Sequence, residues 1–200
     1  MDFSAPLTAL SPSLDMRVLA ILARADVSYT SGDVARLVGA SRSGATLALD
    51  RLCASGVVDA ETHGRTNSYR LNREHLLADA VLTAAAAGDS LQSRIRDLVA
   101  DWAVLPERVV LYGSTARGQG GAASDIDLLV IPPPEIDADD PRWVAQTHEL
   151  QARVARWTGN PCDVLTMSHA RWRDAETQRI PVAQEIRRDG ISIYADPQAA

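Results

Sequence analysis

The sequence predicts an α+β fold in two parts: a helical part with one hairpin, then a larger part in which helices enclose a few short strands. Three observations carry this. Apolar residues recur at helical spacing through much of the chain, as in Leu14, Val18, Ile21, Leu22 and Ala25. Two unbroken apolar runs, 109–112 and 128–131, are short enough to be strands and are bounded by Gly113 and Pro132. Charge is unevenly placed as well. Residues 1–72 hold seven Arg and seven Asp or Glu, whereas 73–200 hold thirteen Arg against nineteen acids, so the net charge of −6 lies wholly in the second part.

A chain of 200 residues holds one large or two small domains, and 46% hydrophobic with 23% charged residues is the composition of an ordinary globular protein. With only 4% aromatic residues its cores must be aliphatic. Cys53 and Cys162 stand alone, without CxxC-like company, which excludes a disulfide framework and a cysteine zinc site and fits a reducing cytoplasm. The first residues lack the charged-then-apolar layout of a signal peptide, and no stretch approaches the roughly 18 apolar residues of a membrane span. The expectation is a cytoplasmic protein with no membrane partner.

Taken in order, residues 1–13 carry Pro6 and Pro12 and read as a loose leader. A first helix follows from Leu14 to near Asp26. Thr30-Ser31 caps a second, with Val34, Leu37 and Val38 on one face and Gly39 at its end. Ser41 caps a third, whose buried stripe is Ala45, Leu49, Leu52 and Cys53; Arg42, Ser43, Thr46 and Asp50 face outward. Runs 57–61 and 67–71 read as strands joined by 62–66, a hairpin. An alanine-rich helix is expected over 73–88, and Asp89-Ser90 caps another with Leu91, Ile95, Leu98, Val99 and Trp102 as its stripe. The boundaries are therefore 1–13 leader, 14–72 first domain, 73–88 connecting helix and 89–200 second domain.

In the second domain, Asp140, Pro141 and Gly159 delimit a helix with Trp143, Thr147, Leu150, Val154 and Trp157 on one face. The acidic loop before it, 135–140, reads as solvated. A strand after Asp163, helices over 168–178 and 181–188 and a final strand 191–194 complete the chain.

The chemistry concentrates in 109–131, VVLYGSTARGQGGAASDIDLLVI. Asp125 and Asp127, two apart at the start of a strand, share a face, while Ile126 and Leu128 point into the core. Paired carboxylates repel and raise each other's pKa unless a cation lies between them, so a hard divalent metal is the usual reason for such a pair. Gly113-Ser114 is a strand-to-helix turn where glycine allows close backbone approach and where amide N–H groups and a hydroxyl can hold phosphate oxygens.

Gly113-Ser114, then Ala116-Arg117-Gly118, then Ser124-Asp125-Ile126-Asp127 before an apolar strand resembles the signature of the DNA polymerase β-type nucleotidyltransferase superfamily, in its minimal branch. The resemblance covers roughly the second half of the chain. It implies a small mixed sheet flanked by helices and a third carboxylate on a later strand, the place that Asp163 takes. It further implies Mg²⁺, two ions, on Asp125, Asp127 and Asp163, with the β- and γ-phosphates of a nucleoside triphosphate, ATP above all, on Gly113 and Ser114, and Arg117 pairing with phosphate or acceptor. Asp163 would complete the nucleophile-side metal and accept the hydroxyl proton. The activity implied is transfer of AMP to a hydroxyl of a protein or RNA, in a toxin–antitoxin or defence setting. One departure is that 118–123 lacks the basic residue common there in relatives.

Three helices and a hairpin over 14–72 resemble the winged helix-turn-helix of MarR- or ArsR-type regulators. By position, Arg42, Ser43 and Thr46 would face DNA from the third helix, and His63 and Arg65 from the hairpin. Zero net charge in this part is poor for a DNA binder, and protein interaction or homodimer formation is the competing use of such a module. The alternative to an enzyme is therefore a regulator that senses nucleotide without turnover. The intact three-aspartate set favours the enzyme.

Overall fold

Ser13, Thr30 and Ser41 each set a side-chain oxygen over the first turn of a helix, satisfying an amide that has no partner within the helix. In the computed structural model, which describes residues 1–196, these are the starts of α1 (Leu14–Ala23), α2 (Ser31–Val38) and α3 (Arg42–Ala54). The cap of α2 is reciprocal. Thr30 Oγ1 accepts from Asp33 N at 3.2 Å, and the Asp33 carboxylate accepts from Thr30 N at 3.3 Å. Strands β1 (Tyr29–Thr30), β2 (Val58–His63) and β3 (Thr66–Leu71) form an antiparallel sheet in the order β1-β3-β2, with Tyr29 opposite Tyr69 and Val58 opposite Leu71. Val18, Leu22, Val34, Ala45, Leu49 and Leu71 meet in one aliphatic core.

Several expectations for this part are corrected. The leader is not loose, because Pro6–Ala9 makes a 3-10 turn and Leu7 is buried in the core. Helix α1 stops at Ala23, short of Asp26, and β1 is a strand of only two residues, made by pairing with β3 and so carrying no pattern of its own. The hairpin is tighter than 62–66, with His63 opposite Thr66 and Gly64-Arg65 at the tip. The helix expected over 73–88 begins only at Ala78, as α4 (Ala78–Ala85). Asn72 accepts from Glu74 N and His75 Nδ1 accepts from Leu77 N, so local side-chain bonds hold 72–77 as turns. Val81 of α4 lies in the first core, so α4 is part of that unit.

The chain divides into two units, Ser4–Ala87 with Asp2, and Gly88 onward with Met1 and Phe3. The second contains α5 (Ala87–Ala100), β4 (Arg108–Tyr112), α6 (Gly113–Ala116), β5 (Ile126–Ile131), α7 (Pro141–Thr158), β6 (Cys162–Thr166), α8 (His169–Thr177), α9 (Pro181–Asp189) and β7 (Ile191–Ala195). Its sheet runs β6-β5-β4-β7, parallel between β5 and β6 and antiparallel elsewhere, the small mixed sheet expected. Ile126, Leu128 and Val130 pack with Ile95 of α5 and Trp143, Leu150 and Val154 of α7. Leu129 and Ile131 pack with Trp172 of α8 and with Ala183 and Ile186 of α9. Strand β5 is thus covered on both faces, which is why it reads as continuously apolar apart from Asp127. Among the described residues no helix is long and apolar enough to cross a membrane.

Candidate active site

Strand alternation puts Tyr112 and Asp127 on the α8–α9 face of the sheet, directly opposite each other where β4 and β5 pair. The chain leaves β4 through Gly113, whose φ is 72°. A Cβ there would stand 2.2 Å from Asp127 Oδ2, so only glycine leaves room for the carboxylate. Sequence motif and geometry therefore meet, since Gly113 and Asp127 each require the other's shape.

From Arg117 to Asp125 the chain is a loop without regular structure, held by polar contacts. Gly121 N donates to Ser124 Oγ at 3.0 Å, and Thr115 Oγ1 donates to the Asp125 carbonyl at 3.4 Å. Asn160, 1% exposed, donates from Nδ2 to the carbonyls of Ser124 at 2.9 Å, Gly121 at 3.2 Å and Ala122 at 3.4 Å. It fixes the segment that delivers Asp125. Sequence reasoning missed Asn160, for which a polar residue at the end of an apolar-striped helix and just before a proline was the available signal.

A cleft of about 420 Å³ is lined by Tyr112, Gly113, Ser114, Arg117, Ala123, Ser124, Asp125, Asp127 and Glu185. It gathers five of the six residues the sequence assigned to catalysis and nucleotide binding. Asp163 is the sixth. It is the register partner of Asp127 on β6, but it is exposed and does not line the cleft. Among the described residues no three His, Cys, Asp or Glu side chains form a ready-made metal cluster, so the set of three is brought into neighbourhood and not closed.

Burial pushes the Asp127 carboxyl above the usual carboxylate range, with further upward pushes from Asp163, Asp125 and Glu185 and a partial offset from Arg117. The Tyr112 phenol is pushed up to about 12 by burial and by Asp127, Glu185 and Asp163. All three aspartates offer hard oxygen donors and nothing softer, and their charges converge on one another, so the donor set fits a hard divalent cation such as Mg²⁺.

Arg117 is held through one of its terminal nitrogens. Its Nη1 lies 2.5 Å from Glu185 Oε1 and 3.5 Å from Asp189 Oδ2, both on α9. Glu185 is a second site residue that sequence reasoning missed, because nothing in the polar helix 181–188 ties it to a loop 68 residues earlier.

Of the outward candidates in the first unit, Arg42 and Ser43 are exposed at the start of α3, while Thr46 is half-buried and donates its hydroxyl to the Arg42 carbonyl at 2.9 Å. His63 is exposed at the end of β2, 3.6 Å from Glu61, and Arg65 is exposed at the hairpin tip.

Residues 93–187 match the family model of the nucleotidyltransferase domain. No curated protein sequence matches the chain. Solved structures give distant likenesses: a toxin–antitoxin with AMP-PNP at TM-score 0.38 and 21% identity, covering 54% of this chain and 75% of that one; a mutant of the toxin–antitoxin MntA-HpeT at 0.37 and 19%, with the same coverage; and a MarR family transcriptional regulator from Silicibacter pomeroyi DSS-3 at 0.34 and 24%, covering 44% of this chain and 62% of that one. The family match spans α6, β5, α7 and β6 and takes in the cleft with Asp125 and Asp127. By it, residues 93–187 form a nucleotidyltransferase domain and the chain is a transferase.

Proposed function

We propose that the chain is a Mg²⁺-dependent nucleotidyltransferase of the polymerase β type that moves AMP from ATP to a hydroxyl of a protein or RNA. The observation that carries this reading is the convergence of Asp125 and Asp127 in one cleft with the Gly113-Ser114 turn, and with Asp163 in register beside Asp127. Asp125, Asp127 and Asp163 would hold Mg²⁺, which when bound supplies positive charge to the attacking and leaving oxygens. The Gly113-Ser114 amides and the Ser114 hydroxyl bind the β- and γ-phosphates, and Arg117 adds a cation at the same cleft. The acceptor hydroxyl oxygen forms a bond to the α-phosphorus as the bridging P–O bond to the β-phosphate breaks. Pyrophosphate departs, and the hydroxyl proton passes to Asp163. The protein's contribution is placement and charge neutralisation. The setting implied by the motif resemblance is a toxin–antitoxin or defence pair.

A second reading keeps the first unit in view. Its three helices and antiparallel hairpin support a winged helix-turn-helix, with Arg42, Ser43, Thr46, His63 and Arg65 as its DNA-facing residues. On that reading the protein is a regulator whose second unit senses nucleotide. Incubation of the protein with each α-³²P-labelled NTP, Mg²⁺ and cell lysate separates the two. Label on a protein or RNA band, absent with Asp125→Ala and Asp127→Ala, supports the transferase and identifies base and acceptor class. Mg²⁺-dependent NTP binding without transfer supports the sensor.

A further inference from the structure

Helix α9 is seated closely on the sheet. Ala183 and Ile186 are buried against Val110 and Leu129, and the helix ends at Gly190, where a Cβ would stand 2.3 Å from the Ile186 carbonyl oxygen and 2.9 Å from Val110 Cγ1. Only glycine lets the end of α9 come down this far on β4. The flank of α9 beside that contact carries Glu185 and Asp189, one turn apart.

Both acids reach the same nitrogen of Arg117, Glu185 at 2.5 Å and Asp189 at 3.5 Å. Asp189 also pairs with Arg188 at 2.8 Å, so Glu185 is the tighter and less shared partner. A guanidinium is planar and carries five N–H donors in a fixed fork. With Nη1 engaged by α9, the edge formed by Nε and Nη2 has no protein acceptor among the described residues, and the residue lines the cleft together with Gly113 and Ser114. With Nη1 engaged, that edge is the one left to bind two phosphate oxygens side by side.

We infer that Glu185 is a positioning residue. It anchors Arg117 through Nη1 so that the Nε–Nη2 edge is presented, already ordered, to the phosphates of the nucleoside triphosphate. The inference rests on the proposed transferase reading and names the residue that sets its nucleotide affinity. It also accounts for an acid in a site meant for a polyanion, because the Glu185 charge is neutralised by the cation it orients.

The test is calorimetric binding of a non-hydrolysable analogue of the NTP that labels acceptor, in Mg²⁺, together with kcat and KM for transfer. Glu185→Ala is expected to weaken nucleotide binding and raise KM about tenfold while kcat changes less than about threefold, since an unanchored fork must be ordered by the ligand. Glu185→Gln, whose amide oxygen still accepts from Nη1, should stay within about threefold of wild type. Arg117→Ala should weaken binding at least as much, and adding Glu185→Ala to it should cost nothing more. Binding that is unchanged or tighter in Glu185→Ala, a kcat loss at constant affinity, or additive losses in the double variant would each overturn the inference. If wild type binds no NTP, the transferase reading falls along with it. If wild type binds and transfers but Glu185→Ala is indistinguishable from it, only the inference falls.

Discussion

Asp127 lies in a strand covered on both faces, and its carboxylate interrupts an apolar run that packing alone would have made continuous. Burial and the neighbouring Asp163, Asp125 and Glu185 hold its pKa above the ordinary value of 3.8. The folded protein therefore takes up this proton more readily than the unfolded chain. The stability linked to that proton is present at low pH and is lost as pH rises through the folded pKa. Asp127→Asn removes the repelled charge while keeping the shape. In metal-free buffer at neutral pH it should raise the melting temperature by about 2–4 °C, the shift that about 1 kcal/mol gives a protein of this size, while abolishing transfer. The gap should close as pH falls towards 4. Thermal melts of both proteins across pH 4–8 check this, and equal melting temperatures throughout would contradict it. Gly113, Ser114, Asp125 and Asp127 are legible in the sequence because one short stretch holds them, and strand alternation says which way they point. Glu185 and the ion pair that occupies Arg117 are not, because they depend on where α9 lands on the sheet.

At the scale of elements, the strong local signals were legible and the tertiary ones were not. Apolar spacing located α1, capping residues before apolar stripes located α2, α3 and α7, and short apolar runs located β4 and β5. The 3-10 turn at Pro6–Ala9, the two-residue β1 and the late start of α4 exist through burial of Leu7, through pairing with β3 and through the turn bonds of Asn72 and His75. None of these has a period to read. The loop before β5 belongs to the same class, since its order comes from Asn160, more than thirty residues later. Asn160→Ala leaves the carbonyls of Gly121, Ala122 and Ser124 without this donor. It should cost about 1–3 kcal/mol of stability, the penalty of unsatisfied buried polar groups. Urea unfolding measures the loss, and hydrogen exchange should rise at the amides of 121–126 ahead of the rest of the sheet. Exchange unchanged in that segment would remove Asn160 from its proposed role in delivering Asp125.

At the scale of the whole chain, two units with separate cores carry different charge: eight Arg against nine acids leave the first at −1, and twelve Arg against seventeen acids leave the second at −5. Read from the sequence, the first domain ends at 72 and 73–88 is a connecting helix, whereas the division falls near residue 87 and Val81 of α4 lies in the first core. An acidic second unit would repel free nucleotide unless its charge is locally offset; Arg117 is balanced by Glu185 and Asp189, so the offset would fall to the divalent cation that the carboxylate set suits. The central claim is that this cleft moves the α-phosphoryl group with its nucleoside. The most direct measurement is a paired reaction with α-³²P-ATP and γ-³²P-ATP in Mg²⁺, run on wild type, Asp125→Ala, Asp127→Ala and Asp163→Ala with cell lysate as acceptor. Acceptor should be labelled only from the α-position and pyrophosphate from the γ-position, with both lost in all three variants. Acceptor labelled from the γ-position, or α-label transferred undiminished by Asp125→Ala and Asp127→Ala, would contradict it.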